Sequence, residues 1–244
     1  MSTTGFGISQ TVGSIDGTHQ EIQCPKNAGS LYFNYKDYHS LVVQAVADAN
    51  YNFVVFDIGD YGRNSDGSVF RESAFGQDFE NNRLDLPPPK ALPNTDQELP
   101  FVFLADEAYP LRENLLTPYA RRSLSNPSRI FNARLSRARK SVECTFGLVK
   151  KKIEVLQRPI RCSVERATII IQASYTLHNF VRQREGSPLQ ANTENIVNNN
   201  ITSLGPVVYS GRHSLRAKEV RDGFRNYFVS NEGSVPWVTA KYTV

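Results

Sequence analysis

The stretch Leu99-Pro100-Phe101-Val102-Phe103-Leu104-Ala105-Asp106 decides how the rest of the chain reads. Its apolar run is too short for an average helix and is rich in Val and Phe, so Leu99–Ala105 reads as a buried strand that stops abruptly on a carboxylate. Ahead of it, residues 84–100 hold five prolines, which cannot lie in a helix interior or a central strand. They make a surface connection, expected over a sheet edge. Further upstream, Ser14–Ile22, His39–Ala47 and Asn52–Ile58 are rich in β-branched or aromatic residues and are bounded by Asn, Asp and Gly. These predict three more strands, most simply joined as an antiparallel meander. Asp57–Asp66 then reads as turn and loop, and Gly67–Ser73 as a short helix.

Downstream the period changes. Leu135, Ala138, Val142, Phe146, Val149 and Ile153 are separated by steps of 3, 4, 4, 3 and 4, one face of an α-helix. Ser163 is a suitable N-cap for a second helix running to about Arg184, with Ala167, Ile170, Ile171, Ser174, Leu177 and Val181 on its buried face. Residues 185–204 are Asn-, Ser- and Thr-rich and read as a flexible linker. Beyond them Ser214–Phe228, with Leu215, Val220, Phe224 and Phe228 near helical spacing, predicts a docking helix. The lone Trp237 is expected to anchor the tail.

The 244 residues suffice for a core without staples, and no stretch approaches the ~18 apolar residues of a membrane span. No membrane partner is expected. Three cysteines without CxxC spacing argue against a disulfide framework and a zinc knuckle, and the small polar start shows no secretory signal, so an intracellular, reducing setting is expected. Charge is unevenly spread: residues 1–120 carry 7 Lys/Arg against 16 Asp/Glu, and residues 121–161 carry 12 against 2. A nucleic acid handled with a metal ion suits both halves, although a solvated helix face gives the same basic run.

Asp16 lies inside the first strand, Asp106 closes the fourth, and Glu143 sits on the first long helix. Carboxylates amid apolar strands must be paired or hold a cation, because an unpaired buried charge is expensive. Three that converge point to a hard divalent metal and phosphodiester chemistry. Arg139 and Lys150 share Glu143's side of the helix and suit phosphate, while an Arg139–Glu143 ion pair explains the same spacing equally well. His19, His39 and His178 read as structural, and Cys144 has no recognisable base.

These segments, in order, resemble the nuclease domain of the PIF/Harbinger superfamily of transposases and their domesticated relatives. The resemblance rests on Ile15-Asp16-Gly17-Thr18-His19, the loop Gly62-Arg63-Asn64-Ser65-Asp66-Gly67 with Val69-Phe70-Arg71-Glu72-Ser73, and Leu104-Ala105-Asp106-Glu107-Ala108-Tyr109-Pro110. It continues through Asn132–Arg139, Val142-Glu143-Cys144-Thr145-Phe146-Gly147 and Leu177-His178-Asn179-Phe180, covering roughly residues 12–184. It implies an α/β, RNase H-like fold with a mixed central sheet flanked by helices, followed by the linker and by a docking helix and tail over 205–244. It also implies a divalent-metal-dependent DNA endonuclease, using Mg²⁺ or Mn²⁺ at a catalytic and metal-binding triad of Asp16, Asp106 and Glu143. Asp66 occupies the acidic position of the family's loop motif and could join or support the metal site as a fourth ligand, but its place in a loop favours a capping or Asx-turn role over a ligand role. Arg134, Arg137, Arg139, Lys150 and Lys151 would contact DNA phosphate, within a cluster that includes Arg121, Arg122, Arg129 and Lys152.

Nuclear localisation is expected from the substrate class and the basic cluster Lys150-Lys151-Lys152, a homodimer from action on two DNA ends, and a separate Myb-like DNA-binding partner protein from the resemblance. Glu107 departs from the small residue expected after Asp106. Transposing members carry a long helical region before the catalytic domain, and here the first Asp is residue 16, so a fragment, a mispredicted product or a domesticated remnant is expected. A catalytically inactive, domesticated DNA- or protein-binding nuclear module is the alternative.

Overall fold

The computed structural model describes residues 7–122, 124–185 and 213–236; residues 186–204 of the expected linker and Trp237 lie outside them. The described residues fall into two compact units, one drawn from 1–14, 84–140 and 208–244, the other from 15–83 and 141–207. Strand β1 (Thr11–Glu21) and helix α3 (Asn126–Lys152) each run from the first unit into the second.

The second unit holds β2 (Ser40–Ala47) and β3 (Phe53–Tyr61), paired antiparallel from Leu41↔Tyr61 to Ala47↔Phe53 with irregularities after Val42 and Val46. All eight residues of β2 are buried, which explains its largely apolar sequence, with Gln44 inside it, in place of alternation. At the connecting turn, the Asp48 carboxylate accepts from the Asn50 and Asn52 backbone N–H groups at 2.8 Å each. Helix α4 (Val164–Glu185) clamps this hairpin. His178 Nε2 donates to the Tyr51 carbonyl at 2.9 Å, and Arg182 donates to Asn50 O at 2.6 Å. Asn179 meets both the N–H and the C=O of Phe53, at 2.8 and 2.7 Å.

That clamp corrects the expected buried face of α4. Ala167, Ile171 and Ser174 are buried as read, but Leu177 is 51% exposed, and Tyr175, His178 and Arg182 point inward. The face is selected by the backbone groups of a hairpin as much as by apolar surface, so polar side chains occupy it. Phe53 stacks on Tyr175 with centroids 4.3 Å apart, within a core that includes Val43, Val142, Phe146 and Ile171.

Two short helices follow β3. In α1 (Asp66–Glu72) the N-cap is Ser65, whose N–H meets Ser68 Oγ at 3.2 Å; α2 (Ala74–Glu80), unforeseen because of Gly76, starts on Ser73, whose Oγ accepts from the Gly76 N–H.

The first unit carries β4 (Lys90–Ala91) and β5 (Glu98–Leu99), a small hairpin inside the proline-rich connection, then β6 (Val102–Leu104) and β7 (Leu115–Leu116). The expected single strand 99–105 is thus broken at Pro100, which has no N–H for a ladder. β6 runs parallel to β1 with Thr11↔Val102, Gly13↔Phe103 and Ser14↔Leu104 in register, and β7 runs parallel to β6. Helix α3 begins at Asn126, nine residues before the apolar periodicity, with Pro127 in the first turn where its missing N–H costs nothing. Helix α5 (Leu215–Val229), capped by Ser214, buries Val220, Phe224 and Phe228 as expected, whereas Leu215 is exposed.

The five-stranded sheet has the order β3-β2-β1-β6-β7. A mixed sheet in this order, accompanied by helices, is the α/β RNase H-like fold that the resemblance implied.

Candidate metal centre

Asp16 stands in the middle of β1, 3% exposed, with one carboxylate oxygen accepting from the Gly17 N–H at 2.9 Å. Ser14 lies opposite Leu104 in the parallel β1–β6 pair, and two residues further along each segment come Asp16 and Asp106. Asp106 leaves β6 into a turn that its own carboxylate shapes by accepting from the Ala108 N–H at 2.9 Å, while Tyr109 is buried. Asp66 is the first residue of α1 and is 2% exposed.

Asp16 and Asp66, both in the second unit, each offer a carboxylate oxygen, and these oxygens lie within 4.8 Å of each other. Like charges at that separation repel by about 3 kcal/mol per pair at an effective dielectric constant of ~20, a cost that a cation offsets. An all-oxygen donor set fits a hard divalent ion such as Mg²⁺ or Mn²⁺ and does not suit a thiolate- or imidazole-seeking one. Asp66 therefore enters the candidate site in place of the capping role expected for it, since Ser65 is the cap. Glu143 lies half-buried on α3, outside the close approach of Asp16 and Asp66.

In the first unit, Asp106 and Glu107 line a cavity of about 520 Å³ together with Arg121, Arg129 and Arg139. Exposed Arg121 stands 3.9 Å from Glu107. Arg134 requires correction as a phosphate contact. Its side chain is buried, its two terminal nitrogens donate to the carbonyls of Gly7 and Gly233, and its guanidinium lies 3.9 Å over the Phe228 ring. A helix of 3.6 residues per turn directs this cation to the inner face, unlike Arg137, which is exposed. Lys151 is exposed. Lys150 is half-buried, and burial lowers its ammonium pKa against the opposing effect of Glu21. Lys152 pairs with Glu185 at 2.5 Å.

His19 and His178 are held in structural contacts. Burial, with Lys36 nearby, pushes His19 down to about 4, and its Nδ1 lies 2.9 Å from Ser40 Oγ. His178 is also lowered by burial. Cys144 is buried and forms no disulfide among the described residues.

A mixed sheet of this order with buried carboxylates beside it is the arrangement of an RNase H-like nuclease fold. The chain belongs to the DDE superfamily endonuclease family, whose model matches residues 15–179. The protein ALP1-like of Arabidopsis thaliana is 28% identical over 191 residues, covering 75% of this chain and 46% of its own length. The chain thus spans about half the length of that curated relative. No solved structure matches. The transposase ancestry implied by the ordered motifs agrees with this family. Among the described residues no helix is long and apolar enough to cross a membrane.

Proposed function

We propose that the chain is a divalent-metal-dependent DNA endonuclease of transposase descent that hydrolyses phosphodiester bonds. The observation that carries this reading is the approach of the buried Asp16 and Asp66 carboxylates to within 4.8 Å in a chain of this family. Asp16, Asp66 and Asp106 would hold the metal, with Glu143 completing the acidic set from α3. A bound divalent ion supplies an activated attacking oxygen and stabilises the departing one. The chain's own part is to fix the carboxylates on rigid elements: Asp16 within a strand, Asp106 in a turn braced by the Ala108 N–H, and Asp66 at the start of a helix. Arg121, Arg129 and Arg139 neutralise phosphate beside Asp106. Arg137, Lys150 and Lys151 add affinity without reading sequence. A Myb-like partner protein supplies target choice in the nucleus, and two copies of the chain act on two DNA ends.

The test is nicking of supercoiled plasmid by the purified chain with Mg²⁺ or Mn²⁺, alongside EDTA and the Asp16→Ala, Asp66→Ala, Asp106→Ala and Glu143→Ala variants. Nicking that needs metal and these carboxylates supports the reading. A folded chain that binds DNA equally well with and without Asp106, and never nicks, is instead an inactive DNA-binding module.

A further inference from the structure

We propose that the cavity beside Asp106 receives one unpaired nucleotide of a DNA strand, a reading that rests on the nuclease assignment for the identity of the strand. Its volume of about 520 Å³ falls within the range that encloses a small ligand, and a duplex cannot enter it. Its walls are of two kinds. Arg121, Arg129 and Arg139 bring three cations against the carboxylates of Asp106 and Glu107, which favours a phosphate-bearing ligand. Pro118, Leu124 and Ala133 supply apolar surface suited to the faces of a base, with the Ser136 hydroxyl on the exposed rim.

The loop wall is held from both sides and does not need a ligand to form. Asn132 of α3 accepts from the Tyr119 N–H at 2.8 Å and donates to its C=O at 2.9 Å. From α5, Asp222 accepts the Tyr119 hydroxyl, while Arg221 lies 4.0 Å over the Tyr119 ring and donates to Pro118 O at 3.2 Å. Helix α5 lies beyond the matched family segment of 15–179, so the brace behind this wall is a contribution of the chain's later residues. A pre-formed cavity spends no binding energy on ordering itself, and a nucleotide that is already unpaired pays no unstacking cost on entry.

The experiment measures binding of the full chain, in EDTA, to a short fluorescein-labelled duplex and to the same duplex carrying one unpaired 2-aminopurine nucleotide. Competition by a free deoxynucleoside monophosphate separates a strand site from a free-nucleotide site. Affinity for the unpaired substrate is expected to exceed that for the duplex by about tenfold, with the 2-aminopurine emission changing on binding. Ala133→Trp, which fills the cavity, should erase the preference and leave duplex affinity within about twofold. Ser136→Trp, at the exposed rim, serves the same purpose if Ala133→Trp does not fold. Equal affinities for the two substrates, a preference that survives both tryptophans, or full displacement by the monophosphate would overturn the proposal. The assay uses no metal, so a chain that shows the preference but never nicks plasmid refutes the nuclease reading and leaves this site standing.

Discussion

Replacing Arg134 by Lys separates a structural arginine from a DNA contact. Lysine keeps the charge and most of the length, so a phosphate contact would survive the exchange with little loss of affinity. The structure requires otherwise. The Arg134 fork reaches two carbonyls, those of Gly7 and Gly233, and its plane covers the Phe228 ring. An ammonium can serve one of the two carbonyls, which leaves the other buried and unsatisfied at a cost of about 1–3 kcal/mol. Loss of the planar stack adds roughly 1 kcal/mol. Arg134→Lys is therefore expected to destabilise the protein by about 2–4 kcal/mol, read as a lower urea midpoint at unchanged slope. DNA affinity measured well below that midpoint should hold within about twofold. A variant as stable as the parent but markedly weaker on DNA would refute the argument and restore Arg134 to the interface.

Other consequences are equally specific. His19 titrates at about 4 in the folded chain against 6.5 unfolded, so the unfolded state binds more protons between these values. Its contribution to stability is full above pH 6.5 and is lost as pH falls towards 4, by about 3 kcal/mol at most; a His19→Gln variant should lose that much less stability over the same range. Asn179→Ala removes both bonds to Phe53 and should cost about 2 kcal/mol in urea denaturation without changing metal affinity. Asp66→Asn should slow any nicking by at least about 10²-fold, the scale of losing one preorganised charged group, and activity near that of the parent would remove Asp66 from the site. Arg121→Ala and Arg129→Ala should each reduce the dependence of log affinity on log salt by about one unit, whereas Arg134→Lys should leave it unchanged.

The strands and long helices were legible because period and composition act locally. The β2 run and the Leu135–Val149 stripe announce burial without any knowledge of the partner surface. What stayed hidden was decided by polar groups on distant elements. Leu177 and His178 are neighbours in sequence, and hydropathy assigns the leucine to the core. The Tyr51 carbonyl assigns the histidine to it instead, because a buried backbone oxygen needs a donor more than α4 needs another apolar contact. Arg134 was misplaced for the same reason: among so many arginines, composition cannot show which one has carbonyls waiting for it.

The loop Gly62–Gly67 shows how a motif can be recognised before its purpose is understood. Its acidic residue reads as a helix cap because it opens a helix, yet Ser65 holds the cap position, and the Asp66 carboxylate comes within 4.8 Å of that of Asp16. What sets the loop's depth is Gly62. A Cβ there would stand 2.3 Å from the Tyr32 carbonyl oxygen and 2.9 Å from that of Ser40, both backbone atoms with no freedom to yield. The Ser40 hydroxyl, 2.7 Å from the same point, is itself fixed between His19 Nδ1 and Asn34 Nδ2 at 2.9 Å each. The chain can pass this close to β2 only without a side chain, and four residues later Asp66 emerges at 2% exposure. Gly62→Ala should therefore act on two observables together. Overpacking of about 1–3 kcal/mol should appear in urea denaturation, and Mn²⁺ affinity by calorimetry should fall as the loop is pushed outward. If the alanine variant loses stability but holds Mn²⁺ as tightly as the parent, the loop does not deliver Asp66 to the metal, and Asp16 and Asp106 would need their third carboxylate from Glu143.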